Sequence, residues 1–520
     1  MSAGWGAPRE LREAMARLKG LELAILARGA EAYDFRGDVW TTHRVAAVIR
    51  RADASRCRGE APPDMRNRQV STRGRLRKLL IQQCKPGSVN RIERSCSAVH
   101  GGAELRDRLV EEYPQLEPVM NTLVFRLVLL MTFTLPWENV IQFAGAGKVS
   151  KVIGLVVGAT WLLSVVKNGA IRQPRAAHVF AILFVLWNAC SVAWTVDGPA
   201  TQTRVLTYVQ LLGFMLVIWD TVTTPVRARQ VLMAYLVGCY LTVVFLLVSS
   251  VGTASGSEMY GRATLDGFHP NDIAAILAFG APIAVYLMFT SGTDRWRWAR
   301  LTAACLYIPL AGFAVLLTGS RSGLAALVPA IAYLVYQLAR RRPGLAIGFL
   351  GILVLLATLA FPFAPPRVRL RLEGTAAALE AGNLNSRETV WAEAFRLIHD
   401  HPVLGVGAGA FREAAVGANK VGHNFALSLL AEIGVIGFGL FMAMFVAALL
   451  SLRHVPPLLR GMWVALFTAW LFSAVLHNWE YRKQTWLFLA LVIAYGALSE
   501  RRSVENDAEA ATGTRTGHDR

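Results

Sequence analysis

Long apolar runs separated by short polar segments fill the chain from Leu123 onward. A helix that crosses the hydrocarbon core of a bilayer needs about 20 residues, each rising about 1.5 Å. About twelve runs are long enough, which predicts an all-α integral membrane protein with nine spans in residues 120–363 and three in residues 425–500. The predicted spans are residues 122–143, 150–166, 177–195, 204–220, 229–251, 272–290, 300–318, 320–337, 344–363, 425–450, 459–477 and 484–499.

The two ends of the chain differ from this pattern. Residues 1–119 are rich in arginine and predict a poorly ordered cytoplasmic extension near anionic lipid, with weak helices at 9–28 and 103–112. Met120 opens a sequence typical of the start of a membrane protein, so a second hypothesis is that translation begins there and the preceding stretch is a mis-assigned extension. Residues 501–520 are polar and predict a disordered tail.

The charges of the chain predict its orientation in the membrane. The chain is 54% hydrophobic with a net charge of +19, and beyond the first 120 positions its basic residues favour alternate loops. This distribution follows the positive-inside rule and argues against nucleic-acid binding. Both termini are then cytoplasmic. The loops predicted on the opposite face are residues 252–271, 318–322, 364–424 and 477–483.

Several basic residues lie on this outer face, where the rule does not expect them. Arg321 lies between two apolar spans, where a charge is costly unless it is paired or functional. One interpretation is a structural ion pair with Glu432 or Glu480. The other is phosphate binding, because a planar guanidinium matches phosphate oxygens, and several arginines in one pocket suit a diphosphate. The outer-face basic residues are Arg262, Arg321, Arg387, Arg482 and Lys483.

The outer loop of residues 364–424 ends in a histidine at the start of an apolar run. His423 is predicted at a helix N-terminus, where the helix dipole disfavours protonation, and a neutral imidazole is the form that a general base requires. A surface or capping role is the alternative. Asn424 and Glu432 share one face of that helix, and Glu432 is expected to hold neighbouring helices by hydrogen bonds.

Four segments in this order resemble the O-antigen ligase family, which also contains O-antigen and exopolysaccharide polymerases. They are GRATLDGFHPNDIA (261–274), TGSRSGLAAL (318–327), SRETVWAEAFRLIHDHPVLGVGAGAF (386–411) and HNFALSLLAEIGVIGFGLF (423–441), within a resemblance covering about residues 122–499. The resemblance implies a fold similar to membrane glycosyltransferases of the GT-C type. It also implies a glycan donor on undecaprenyl diphosphate, an acceptor that is lipid A-core or another glycan, and a periplasmic active site in a bacterial inner membrane.

The resemblance also assigns expected roles to residues. It implies that His423 is the catalytic base, that Arg262, Arg321 and Arg387 contact the diphosphate or glycan, and that neither a metal nor a cofactor takes part. The expected supporting residues are Asn424, Glu432, His269, Asn271, Glu480 and Arg482. These motifs do not separate a ligase from a polymerase. A transporter or flippase for the same lipid is the alternative from another class, since about twelve spans is also typical of transporters.

Overall fold

The computed structural model describes residues 119–143, 147–169, 171–251, 258–259, 262–290, 297–364, 366–374, 387–415 and 422–515. The expectations for residues 1–118 lie outside the described residues. Within these ranges the chain forms fifteen α-helices. They are α1 Val119–Thr134, α2 Val149–Asn168, α3 Ala176–Cys190, α4 Gly198–Thr221, α5 Pro225–Val251, α6 Pro270–Thr290, α7 Arg297–Leu317, α8 Arg321–Ala339, α9 Pro343–Ala360, α10 Pro366–Glu373, α11 Arg387–Asp400, α12 Phe411–Ala414, α13 Phe425–Leu450, α14 Pro457–Ala474 and α15 Lys483–Arg515.

Four 3-10 turns and two small hairpins complete the described secondary structure. The 3-10 turns are Leu135–Trp137, Ser191–Ala193, Phe361–Phe363 and Ser451–His454. The antiparallel hairpins pair β1 Gln142–Phe143 with β2 Gly147–Lys148, and β3 Glu258–Met259 with β4 Arg262–Ala263. The all-α prediction is therefore confirmed apart from these short strands, which lie between helices.

Each predicted span coincides with one of the long helices. In the described part of the chain, ten helices are long and apolar enough to cross a membrane. The other two predicted spans are α7, which has a shorter apolar stretch at Leu301–Leu317, and α15, which joins an apolar half to a polar half. Helix α15 continues to Arg515, into the segment 501–520 that was expected to be a disordered tail; alanine and glutamate there favour helix and extend one already formed.

Two helices, α6 and α15, form the centre of the bundle. Residues 273–287 of α6 and 484–498 of α15 are buried throughout, as expected for segments that are apolar on all sides. The ring centroids of Phe279 and Phe488 lie 5.9 Å apart, so the two helices are in direct contact. Around them, α5, α7, α8 and α14 pack on α6, and α4 and α13 pack on α15.

Helix α13 is broken near its outer end. Gly434 has φ 65° and ψ −172°, a conformation that essentially only glycine adopts. The backbone N–H groups of Val406 and Gly407 donate to the carbonyls of Ala431 (3.0 Å) and Glu432 (2.8 Å). The Val435 N–H donates to the carbonyl of Pro402 (2.9 Å) in the same segment. The loop after α11 thus supplies hydrogen bonds that the broken helix lacks, and fixes the loop to the bundle.

Replacing Gly434 with alanine is expected to lower the melting temperature of the purified protein. An added Cβ would lie 2.0 Å from the Val403 carbonyl oxygen, and the backbone conformation itself costs a non-glycine residue about 1–3 kcal/mol. Gly439→Ala is the matched control, because a Cβ there meets nothing within 4 Å in the same helix. Equal melting temperatures for the two variants would contradict the observed break.

Candidate active site

Arg262 is held in a buried position by neutral groups. The side chain is 5% exposed; Nε donates to the carbonyl of Thr318 (2.7 Å) and Nη2 donates to Oδ1 of Asn271 (2.6 Å). Burial, followed by the positive charges of Arg371 and Arg387, lowers the pKa of Arg262 to about 10. The guanidinium stays charged at neutral pH and has other cations as neighbours, which is an environment suited to an anion.

Arg371 links the three arginines that the sequence singled out. Arg321 Nη2 donates to the Arg371 carbonyl (2.8 Å), and Arg321 Nε has no hydrogen-bond partner among the described residues. Burial and then Arg321 lower the pKa of Arg371; burial and then Arg371 lower that of Arg387. We call Arg262, Arg321, Arg371 and Arg387 the arginine cluster. Sequence reasoning missed Arg371, although the alternating arginines of RVRLRL (367–372) in α10 were a visible signal.

A buried histidine, His477, connects the arginine cluster to His423. Asn271, the partner of Arg262, donates from Nδ2 to His477 Nε2 (3.0 Å), and His477 Nδ1 lies 3.3 Å from the Ser473 carbonyl oxygen. These contacts assign the proton to Nδ1, and burial lowers the pKa of His477 to about 3. The ring centroids of His269 and His423 each lie 6.3 Å from that of His477. Sequence reasoning missed His477, a single histidine in a short loop.

His423 occupies the position that the sequence predicted, immediately before α13. Its φ of 48° is in the left-handed region, which is uncommon for a non-glycine residue. The next residue, Asn424, caps the helix, since its Oδ1 accepts from the N–H groups of Ala426 (2.9 Å) and Leu427 (3.2 Å). Asn424 therefore has a structural explanation as the N-cap of α13, next to the half-buried His423.

The buried carboxylates of Glu432 and Glu480 lie close to Arg204 and not to Arg321, the arginine for which they were suggested as partners. Arg204 of α4 places Nη1 3.9 Å from Glu432 Oε2 and 3.9 Å from Glu480 Oε1. Glu432 Oε2 also accepts from the Gly409 N–H (2.7 Å), so its hydrogen bond joins α13 to the loop after α11 rather than to a neighbouring helix. In the described ranges Arg321 forms an ion pair with neither of these two carboxylates, and Arg204 lies beside them instead. Sequence reasoning missed Arg204, which lies at the start of an apolar span.

Arg482 and Lys483 are used to join elements of the bundle. Arg482 Nη2 lies 2.8 Å from Asp272 Oδ2 at the start of α6. Lys483 Nζ lies 2.5 Å from Glu138 Oε2 and 2.6 Å from Ser150 Oγ. These ion pairs hold the loop between α14 and α15 against α1, α2 and α6, so both cations have a structural explanation.

The acidic and histidine residues do not form a metal site in the described part of the chain. No group of three or more His, Cys, Asp or Glu side chains there has the geometry to hold an ion. The expectation of a metal-independent reaction stays a prediction.

The stability of the protein is expected to fall as the pH rises from about 4.5 to 7, through Glu480. Burial raises the pKa of this carboxyl from its ordinary 4.5 to about 7, against the opposing charge of Arg204. Between these values the unfolded chain has lost the proton and the folded chain still holds it, so the free energy of unfolding decreases. Melting temperatures at pH 5–8 should show a shallower decline in Glu480→Gln. The variant Glu393→Gln, at a partly exposed position of α11, should keep the wild-type decline, and an unchanged slope in Glu480→Gln would contradict the assignment.

Together, the fold and the site define a multi-pass membrane protein with a cationic, histidine-containing site at one end of its bundle. Residues 306–442, which include Arg321, Arg371, Arg387 and His423, match the family described as O-Antigen ligase. The chain is 22% identical over 305 residues to an O-antigen ligase of Pseudomonas aeruginosa, covering 56% of this chain and 70% of that protein. This match and this relative both support a place for the chain in the O-antigen ligase family.

Proposed function

We propose that the protein transfers a glycan from undecaprenyl diphosphate to an acceptor hydroxyl, as an O-antigen ligase does with lipid A-core. The observation that carries this proposal is the arginine cluster, which is joined through Asn271 and His477 to the neighbourhood of His423. Clustered guanidinium groups suit a diphosphate, and a histidine beside them suits the activation of a hydroxyl.

The reaction needs one bond to form and one to break at the anomeric carbon of the donor. The acceptor oxygen attacks that carbon while the bond from the carbon to the diphosphate oxygen breaks. His423 takes the proton of the acceptor hydroxyl, and the bonding electron pair leaves with the diphosphate. Negative charge therefore grows on the leaving group, where fixed cations such as Arg262 and Arg321 stabilise it.

Charge also supports a periplasmic location for this site in the bacterial inner membrane. Each loop at the opposite end of the helices contains or adjoins basic residues, among them Arg172, Arg295 and Arg340. Under the positive-inside rule that end is cytoplasmic. The arginine cluster then faces the periplasm, and both termini face the cytoplasm.

A polymerase of the same family would use the same chemistry with a different acceptor. Glycan analysis of a strain that lacks the gene distinguishes the two. Loss of polymer on lipopolysaccharide with accumulation of long lipid-linked polymer supports the ligase. Accumulation of single lipid-linked repeat units supports the polymerase. Unchanged glycans in both pools would contradict a role in this transfer.

A transporter or flippase is the second candidate, and the break in α13 is the observation that favours it. Transporters use unwound carbonyls of broken helices to bind ions. Here, however, the carbonyls of Ala431, Glu432 and Ile433 already accept from Val406, Gly407 and Trp187 Nε1. In proteoliposomes, lipid movement without a new glycosidic bond would favour the transporter, and a new bond would favour the transferase.

A further inference from the structure

A cavity of about 250 Å³ lies at the end of the bundle opposite the arginine cluster. It lies between the first residues of α5 and α14, the last residues of α6 and the middle of α15. Its lining includes Tyr286, Tyr495, Ser499 and Arg502. A water molecule occupies about 30 Å³ in the liquid, so the space admits several methylene groups. None of its lining residues belongs to the candidate active site.

The wall of the cavity is mostly apolar but contains polar atoms at one side. Tyr495 is 4% exposed, and its hydroxyl lies beside that of Tyr286, another residue of the wall. A phenolic hydroxyl can both donate and accept, so this pair can also bond to a ligand or water in the cavity. Ser499 stands one helical turn further along α15, so a second hydroxyl lines the same wall.

Basic residues lie at and near the cavity. Arg502 lines it directly, and the charge of Arg229 at the start of α5 acts on the hydroxyls of both Tyr286 and Tyr495. Arg341 lies nearby, with its Cζ 4.4 Å from the ring centroid of Phe289 near the end of α6. An apolar space with basic residues beside it, at a helix end, complements a molecule with an acyl chain and an anionic head.

We propose that this cavity binds an anionic phospholipid of the surrounding membrane, with part of an acyl chain inside and the phosphate near Arg229 and Arg502. The Tyr495 hydroxyl then bonds to an oxygen of the glycerol or ester region. The site would join α5, α6, α14 and α15, the helices whose other ends form or border the arginine cluster. The inference does not depend on the reaction at that cluster.

Thermal stability in the presence of defined lipids tests the proposal. The detergent-purified full chain is melted with phosphatidylglycerol or with phosphatidylcholine of the same acyl chains. Phosphatidylglycerol is expected to raise the melting temperature by at least about 2 °C more than phosphatidylcholine, because a ligand that binds the folded state stabilises it. Equal shifts for the two lipids would overturn the proposal, since they indicate general solvation of the apolar surface.

Two kinds of variant separate the head group from the acyl chain. The double variant Arg229→Gln with Arg502→Gln removes the charge, and Ser499→Phe fills the cavity. Both are expected to abolish the preference for phosphatidylglycerol and to melt like wild type in detergent alone. Lys167→Gln, which removes an exposed cation at the end of α2, is the matched control and should keep the preference. A preference that persists in both test variants, or that inorganic phosphate reproduces, would overturn the proposal.

Discussion

Replacing His423 with alanine is expected to reduce turnover by about 10²- to 10⁴-fold, the usual contribution of a positioned general base. The acceptor hydroxyl would have to lose its proton without a nearby imidazole. Donor binding is expected to survive, because the arginine cluster is built from other segments of the chain. Turnover, donor affinity and melting temperature, measured on the same purified variant, separate a loss of chemistry from a loss of fold.

Asn424→Ala is the matched control for this experiment. It removes the cap of α13, which is expected to lower stability by about 1 kcal/mol while the imidazole of His423 stays in place. The control should therefore melt earlier and keep most of its turnover per folded molecule. Normal turnover in His423→Ala would end the general-base proposal. A fall in turnover that follows the melting temperature in both variants would reduce His423 to a structural role.

The membrane fold was predictable because a bilayer allows few solutions. In the hydrocarbon core, every backbone N–H and C=O group must find a hydrogen-bond partner within its own segment. A long apolar run such as 272–290 therefore predicts a helix. Helix ends were less predictable, since they depend on local bonds. The extension of α15 to Arg515 follows from helix propensity on a helix already formed, and hydropathy alone does not report it.

The candidate site was predictable only where a residue contradicted its surroundings. Arg262, Arg321 and Arg387 attracted attention because they lie on the face where cations are not expected. Arg204 and His477 gave no such signal, since each sits in an ordinary-looking segment and acquires its neighbours only on folding. Tertiary contact, not sequence spacing, brings Arg204 to Glu432 and His477 to Asn271.

The dependence on tertiary contact also explains why Glu432 and Glu480, which the sequence suggested as partners of Arg321, lie beside another arginine. The sequence offered Glu432 and Glu480 as examples of a partner carboxylate, and the choice among cations could not be made without the packing of α4. In the folded chain Arg204 lies 3.9 Å from both carboxylates, whereas Arg321 donates to the carbonyl of Arg371. Arg321 is therefore in contact with the arginine cluster, and substituting it tests whether the cluster binds a diphosphate.

Arg321→Lys is therefore expected to weaken donor binding and lower kcat/KM, although the charge is kept. A compact ammonium cannot reproduce the planar, two-pronged contact of a guanidinium with phosphate oxygens, nor keep the bond to the Arg371 carbonyl. Loss of a hydrogen bond to a charged group costs about 1.5–3 kcal/mol, which corresponds to about 10- to 100-fold. Arg321→Ala should lose at least as much in both donor affinity and turnover, because the diphosphate is present in the ground state and in the transition state.

Arg396→Lys provides the matched control for Arg321. Arg396 is an exposed arginine of α11 that pairs with Glu393 and Asp400, and surface pairs of this kind contribute only about 0–1 kcal/mol. Its lysine variant should bind donor and turn over like wild type. Donor affinity is measured by titrating a lipid-linked diphosphate analogue into each purified variant, with melting temperature recorded alongside. If Arg321→Lys binds the analogue as tightly as Arg396→Lys at equal stability, Arg321 does not contact the diphosphate, and the proposed donor site must lie elsewhere.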